Sequence, residues 1–241
     1  LREVVYWTDD FERIAGNDRY ETAAKIAGLF PEESGVAIAN GANFADAISL
    51  ASAAAAKKYP LLLVGQDNLP GATEDALNQL RPTTVYIGGG EKVVSQELMS
   101  KIEKIIELQG ESEQQLTADQ AQPTDGQAGQ AVENNPQYAA DDNSQQPADQ
   151  DTEQAADSGT EQPLEKGVQR IEGKNRYETS INIVKAFYPQ MEKMYVVNGT
   201  AYPDALCSAG LAARENAPML YIPPNGPTVG SDTEKYFQSL A

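Results

Sequence analysis

Four arginines recur in register along the chain, Arg13 with Arg19 and then Arg170 with Arg176. A guanidinium can hold a phosphate or carboxylate through two parallel hydrogen bonds, which makes these residues candidate ligands for an anionic polymer. Two Asn-Gly pairs, Asn40-Gly41 and Asn198-Gly199, fall between a predicted strand and a predicted helix. Open α/β sheets bind ligands at such turns, and helix N-terminal N–H groups favour anions there. Each candidate also has a purely structural reading. Arg19 and Arg176 could pair with Asp46 and Asp204. The glycines could supply positive φ while each Asn makes a local turn hydrogen bond, and Asn43, Asp46 and Asp204 could cap helices. Tyr20 and Tyr177 could stack on a sugar or fill a core, and the accompanying Thr22 and Thr179 are structural or binding in the same sense.

What is missing narrows the chemistry. The chain has no histidine, so Ser-His-Asp and Cys-His catalysis and any His-dependent zinc site are excluded within it. Gly88-Gly89-Gly90 is followed by neither a Lys-Ser/Thr pair nor a G-x-G-x-x-G pattern, and predicts a close turn rather than a phosphate loop. No metal, cofactor or catalytic residue is expected. With 18 Lys and Arg against 36 Asp and Glu, the net charge is −18, and no clustered basic face suits a nucleic acid. No apolar run approaches the roughly 18 residues of a membrane span. Cys207, the single cysteine, cannot form an intrachain disulfide and reads as a small buried residue in a helix.

The recurrence of the arginines belongs to a longer internal repeat. RIAGNDRYET at 13–22 returns as RIEGKNRYET at 170–179, with seven of ten positions identical. NGANFADAIS at 40–49 returns as NGTAYPDALC at 198–207, and Tyr59-Pro60 before an apolar run returns as Ala217-Pro218. In the first copy the pattern predicts a strand at Phe11–Ala15 and a helix capped by Asp18, with Glu21 as its capping-box partner, to about Phe30. Further strands are expected at Val36–Ala39, Leu61–Val64 and Thr84–Ile87. Helices are expected from Asn43 to about Lys58, from Pro70 to about Leu80, and from Ser95 to about Leu108. Strands joined by such helices imply a mainly parallel sheet flanked by helices, an α/β class.

Three regions follow: a first module at 1–108 with its repeat proper from 13, a Gln/Asp/Glu/Pro-rich linker at 109–166, and a second module at 167–241. Their net charges are −6, −12 and 0. The middle region has too few large apolar residues to offset backbone entropy and is expected to be a disordered, extended tether. The second copy stops where its last strand and helix should begin, which predicts that it continues beyond Ala241. The chain starts at Leu1 with no leader, so a signal peptide is expected to have been removed or to lie outside it.

The motifs R-I-x-G-x-x-R-Y-E-T, N-G-x-x-[FY]-x-D-A and V-Y-I-G-G-G, in this order, resemble the type 2 cell-wall-binding repeat of clostridia and related Gram-positive bacteria. The resemblance covers 13–108 and 170 to about 240. It implies Toprim-like α/β modules, commonly three in tandem around a pseudo-threefold axis, that hold a secreted protein on an anionic wall polysaccharide or teichoic-acid-like polymer at the cell surface. Here only two copies are visible, and an acidic insert separates them. Further copies in cis or trans are implied as partners. The alternatives are a structural surface-layer component, an accessory part of a peptidoglycan hydrolase whose catalytic domain lies elsewhere, and a magnesium-dependent enzyme using Asp46 and Asp204. The last needs several convergent acids where each copy offers one at the matched position.

Overall fold

The computed structural model describes residues 13–31, 35–120 and 166–240, and for 111–120 only the backbone. Helix α1 (Arg19–Ala27) opens on Asp18, whose carboxylate accepts from the Glu21 N–H at 2.8 Å, while Glu21 in turn accepts from the Asn17 N–H. Strand β1 (Val36–Asn40) is buried along its whole length. Then follow α2 (Phe44–Ala56), β2 (Leu61–Val64), α3 (Gly71–Leu80), β3 (Thr84–Gly88) and α4 (Gln96–Gln120). The second repeat supplies β4 (Gly167–Ile171), α5 (Arg176–Phe187), β5 (Tyr195–Asn198), α6 (Tyr202–Arg214), β6 (Met219–Ile222) and α7 (Asp232–Ser239).

The strands form two parallel sheets, one in the order β2-β1-β3-β4 and one pairing β5 with β6. Strand β4 belongs to the second repeat in sequence and to the first repeat's sheet in space, with Val85 opposite Val168 and Ile87 opposite Arg170. One face of this sheet packs Val36, Ile38, Val85 and Ile87 against α1, α3 and α4. Its other face packs Ala37 and Tyr86 against α2 and against Ile181, Val184 and Phe187 of α5, with the Tyr86 and Phe187 rings 4.7 Å apart.

Helix α2 lies between the two repeats. Leu50 and Ala53 face the first sheet, whereas Ala45 and Ile48 pack with Ala205 and Ala212 of α6 and with Met219 and Tyr221 of β6. A helix apolar on all sides must be enclosed, and its alanines let two layers approach it closely. Both repeats therefore share one core.

Several expectations change. Of the strand expected at Phe11–Ala15, Phe11 and Glu12 lie outside the described residues, and Arg13–Ala15 have no regular structure. Their counterparts in β4 become a strand because the free edge of β3 offers them a ladder partner. Helix α4 runs on past Leu108 to Gln120, so 109–120 of the expected disordered linker are helical. Glu, Gln, Leu and Ala there are good helix formers and one glycine does not stop them. The remainder, 121–165, lies outside the described residues. Cys207 is exposed rather than buried, because the α6 face that carries it is uncovered, whereas its counterpart Ser49 on α2 is buried.

Candidate polymer-binding cleft between the repeats

The repeated decapeptide builds each repeat's helix entrance. Gly16 and Gly173 allow the incoming chain to cross the helix start: a Cβ on Gly173 would lie 2.4 Å from the Thr179 backbone nitrogen, and one on Gly16 would lie 2.5 Å from Glu21 Cβ. Thr22 Oγ1 accepts from the Gly16 N–H and donates to the Asp18 carbonyl, and Thr179 is buried. Asn175 caps α5 by accepting from the N–H groups of Tyr177 and Glu178.

Arg19 and Arg176 make neither expected carboxylate pair. The Arg19 guanidinium donates to the Gly41 carbonyl, and that of Arg176 donates to the Gly199 carbonyl at 2.8 Å. The glycines of the two Asn-Gly turns are not in positive φ. They are required because an aromatic ring lies over them: a Cβ would sit 3.0 Å from Tyr20 on Gly41 and 2.7 Å from Tyr177 on Gly199. The asparagines do make the expected local bonds, Asn40 accepting from the Ala42 N–H and Asn198 from the Thr200 N–H. Asn40 also donates to the Val93 carbonyl at 2.6 Å, tying the end of β1 to the loop after β3.

The four arginines do not converge. Arg13 is exposed at the start of the described chain. Arg170, on β4, reaches the loop between β3 and α4 and donates to the carbonyls of Gly89 at 2.9 Å and Val94 at 2.8 Å, with Ser95 at 3.5 Å. Asp204 is exposed on α6 while its counterpart Asp46 is buried.

What does converge is a cleft of about 650 Å³ at the carboxyl ends of the first sheet's strands. It lies where the strand order reverses, β2 and β3 flanking β1 on opposite sides, the usual ligand position in such sheets. The first repeat lines it with Asn43, Asp46 and Lys92, and the second with Glu172, Lys174 and Arg176. The starts of two long helices, α2 and α5, open into it. Gly89, at φ 102°, and Gly90 leave room for the acids: a Cβ on Gly89 would be 3.0 Å from Asp46 Oδ2, and one on Gly90 would be 2.9 Å from Glu172 Oε2.

Burial pushes the Asp46 carboxyl up from the ordinary aspartate range, with the charge of Arg176 acting against it. Behind Asp46, burial pushes the Tyr221 hydroxyl up as well, and the Asp46 charge adds to the shift. That hydroxyl is buried with no hydrogen-bond partner. No group of three metal-ligating side chains occurs among the described residues.

Of the cleft residues, Asn43, Asp46, Arg176 and Thr179 were legible as candidates; Lys92, Glu172 and Lys174 were not. Lys174 stands inside the repeated decapeptide, but the first copy has Asn17 at that position, so repeat matching passes over it. Lys92 follows the glycine triplet, in a part of the repeat with no second copy in this chain.

The chain folds as two interlocked α/β repeats with a mixed-charge cleft between them. Residues 13–99 and 170–239 match the family model of cell wall binding domain 2 (CWB2), and the chain belongs to that family. It is 27% identical over 264 residues to the N-acetylmuramoyl-L-alanine amidase LytC of Bacillus subtilis, covering 95% of this chain and 53% of that protein. It is 26% identical over 242 residues to the amidase enhancer of the same organism, covering 88% of this chain and 34% of that protein. The chain thus spans about half of one curated relative and a third of the other. Among solved structures, Cwp6 from Clostridium difficile superposes with a TM-score of 0.61 at 23% identity, covering 94% of this chain and 26% of that one. Cwp8 from the same organism gives 0.61 at 21%, covering 92% and 29%. These likenesses agree with the parallel α/β fold. Membership makes the chain a cell-wall-binding unit, associated with the wall or cell surface. No helix among the described residues is long and apolar enough to cross a membrane.

Proposed function

We propose that the chain anchors a secreted protein noncovalently to the Gram-positive wall by holding an anionic wall polymer in the cleft between its repeats. The observation that carries this reading is the joint construction of the cleft: the loops after β3 and β4 and the starts of α2 and α5, from both repeats, meet there, with Lys92, Lys174 and Arg176 among its lining. Exposed lysines attract a polyanion at long range and are screened by salt. Arg170, engaged by backbone carbonyls, serves cohesion of the repeats rather than the polymer. The Toprim-like description of each module belongs to the same reading.

Retention of the purified chain on Gram-positive walls, before and after chemical removal of their anionic polymers, tests it. Binding that disappears with the polymer supports anchoring; equal binding to stripped walls overturns it. A second reading is favoured by the relatives, an amidase and an amidase enhancer: the unit positions a wall hydrolase whose catalytic part lies outside these residues. Walls lysed by the full-length protein, but not by this chain, would support it.

A further copy of the module also fits the exposed face of α6. Leu206 is 59% exposed and Tyr202 52%, whereas Ile48, the α2 counterpart of Leu206, is only 9% exposed because the second repeat covers it. Substitution Leu206→Glu should abolish any concentration-dependent association seen by analytical ultracentrifugation.

A further inference from the structure

The cleft holds an acid that its proposed charge preference does not explain. Asp46 is 6% exposed and stands at the third position of α2, lining the cleft from the first repeat. Its carboxylate accepts one hydrogen bond, from Asn43 Nδ2, at the long distance of 3.5 Å. An ionised carboxylate offers about four acceptor sites and no donor, so most of its capacity is unused. The Arg176 guanidinium, its nearest opposite charge, donates instead to the Gly199 carbonyl. Gly89, whose Cβ would lie 3.0 Å from Asp46 Oδ2, puts no side chain against that oxygen.

A phosphate or carboxylate of the polymer would be repelled at this point. A hydroxyl would not: it donates, it is neutral, and a hydrogen bond to a charged acceptor is among the stronger ones available. The two lysines lie elsewhere in the same cleft, Lys92 on the loop after β3 and Lys174 on the loop before α5, and the Arg176 guanidinium beside Asp46 is engaged by the Gly199 carbonyl. We infer that Asp46 is a specificity residue that accepts hydrogen bonds from sugar hydroxyls, so that the cleft selects a glycosylated anionic polymer over a bare polyol phosphate. This rests on the reading of the cleft as the polymer site.

The same construction predicts one such site among the described residues. Asp204, the counterpart of Asp46 in the second repeat, is exposed, and nothing among the described residues closes over it as the second repeat closes over Asp46.

The test is a calorimetric titration of the full chain with a poly(glycerol phosphate) teichoic acid bearing glucose on its glycerol units, and with the same polymer stripped of glucose. The expected result is binding about tenfold or more tighter to the glycosylated form. Asp46→Asn should bring the two affinities together without changing the salt dependence, and Asp204→Asn should leave the wild-type preference intact. Equal wild-type affinity for both polymers would overturn the inference while leaving wall anchoring in place. Failure to bind either would overturn the polymer reading of the cleft and this inference with it. Because the preference is read first on the unmodified chain, the outcome does not depend on the variant folding.

Discussion

The guanidinium of Arg170 donates to the carbonyl oxygen of Val94 at 2.8 Å, across the seam where a strand of the second repeat joins the sheet of the first. The same side chain holds Gly89, so one residue closes the turn that ends β3 and fixes the cleft wall. Arg170→Ala would leave two carbonyls without their charged donor. The expected cost is about 2–4 kcal/mol, a fall of roughly 4–16 °C in melting temperature. Arg13→Ala, at the exposed counterpart, should change the melt by less than about 2 °C. Circular-dichroism melts of the two variants make the comparison, and equal effects would remove the seam role from Arg170.

Sharing of α2 between the two layers predicts that the repeats unfold together. Leu50→Ala, at a fully buried position of the common core, should cost about 2–5 kcal/mol. Native-state hydrogen exchange should then show the amides of β1 in the first repeat and β6 in the second losing protection by the same free energy. Loss confined to β1 would mean that the repeats are separate folding units.

Two glycines separate steric need from mere occurrence. Gly173→Ala places a methyl against the Thr179 backbone and is expected to destabilise by about 1–3 kcal/mol. Gly210, inside α6, has nothing within 4 Å of a would-be Cβ, and Gly210→Ala should stabilise by about 0.5–1 kcal/mol. Denaturant midpoints at constant slope read both signs.

Asp46 sets a pH dependence with a definite sign. Its carboxyl is raised in the folded chain, chiefly by burial, so the folded state keeps a proton that the unfolded state has released. Its contribution to stability is therefore most favourable below the ordinary aspartate range and is lost as pH rises through the raised value. Asp46→Asn removes that loss: relative to wild type, the variant should gain in melting temperature as pH rises above the ordinary aspartate range of about 4. A variant that instead loses ground over this interval would show that the Arg176 charge outweighs burial.

Much of this architecture was legible from local pattern. The caps Asp18, Asn43 and Ser95 mark the starts of their helices, and the apolar runs at 36–39, 61–64 and 84–87 are the strands. Hydrogen-bonding side chains and alternating apolar stretches act within a few residues, so their positions survive in one dimension. The internal repeat likewise marked Arg19, Asn40, Gly41 and Tyr20 as important. It could not say whether a polymer or the chain itself is their partner, and each has a partner within the chain.

By itself the sequence determined that two related α/β units occur, that histidine-dependent chemistry is absent, and that the recurring residues form one repeated helix entrance. Tertiary structure alone decided that β4 completes its neighbour's sheet, that equivalent residues such as Asp46 and Asp204 differ in burial, and that Lys92 and Lys174 line one cleft. The physical reason is that pairing along a free strand edge and enclosure of a helix face depend on which surfaces meet, and residues far apart in the chain carry no local mark of that meeting.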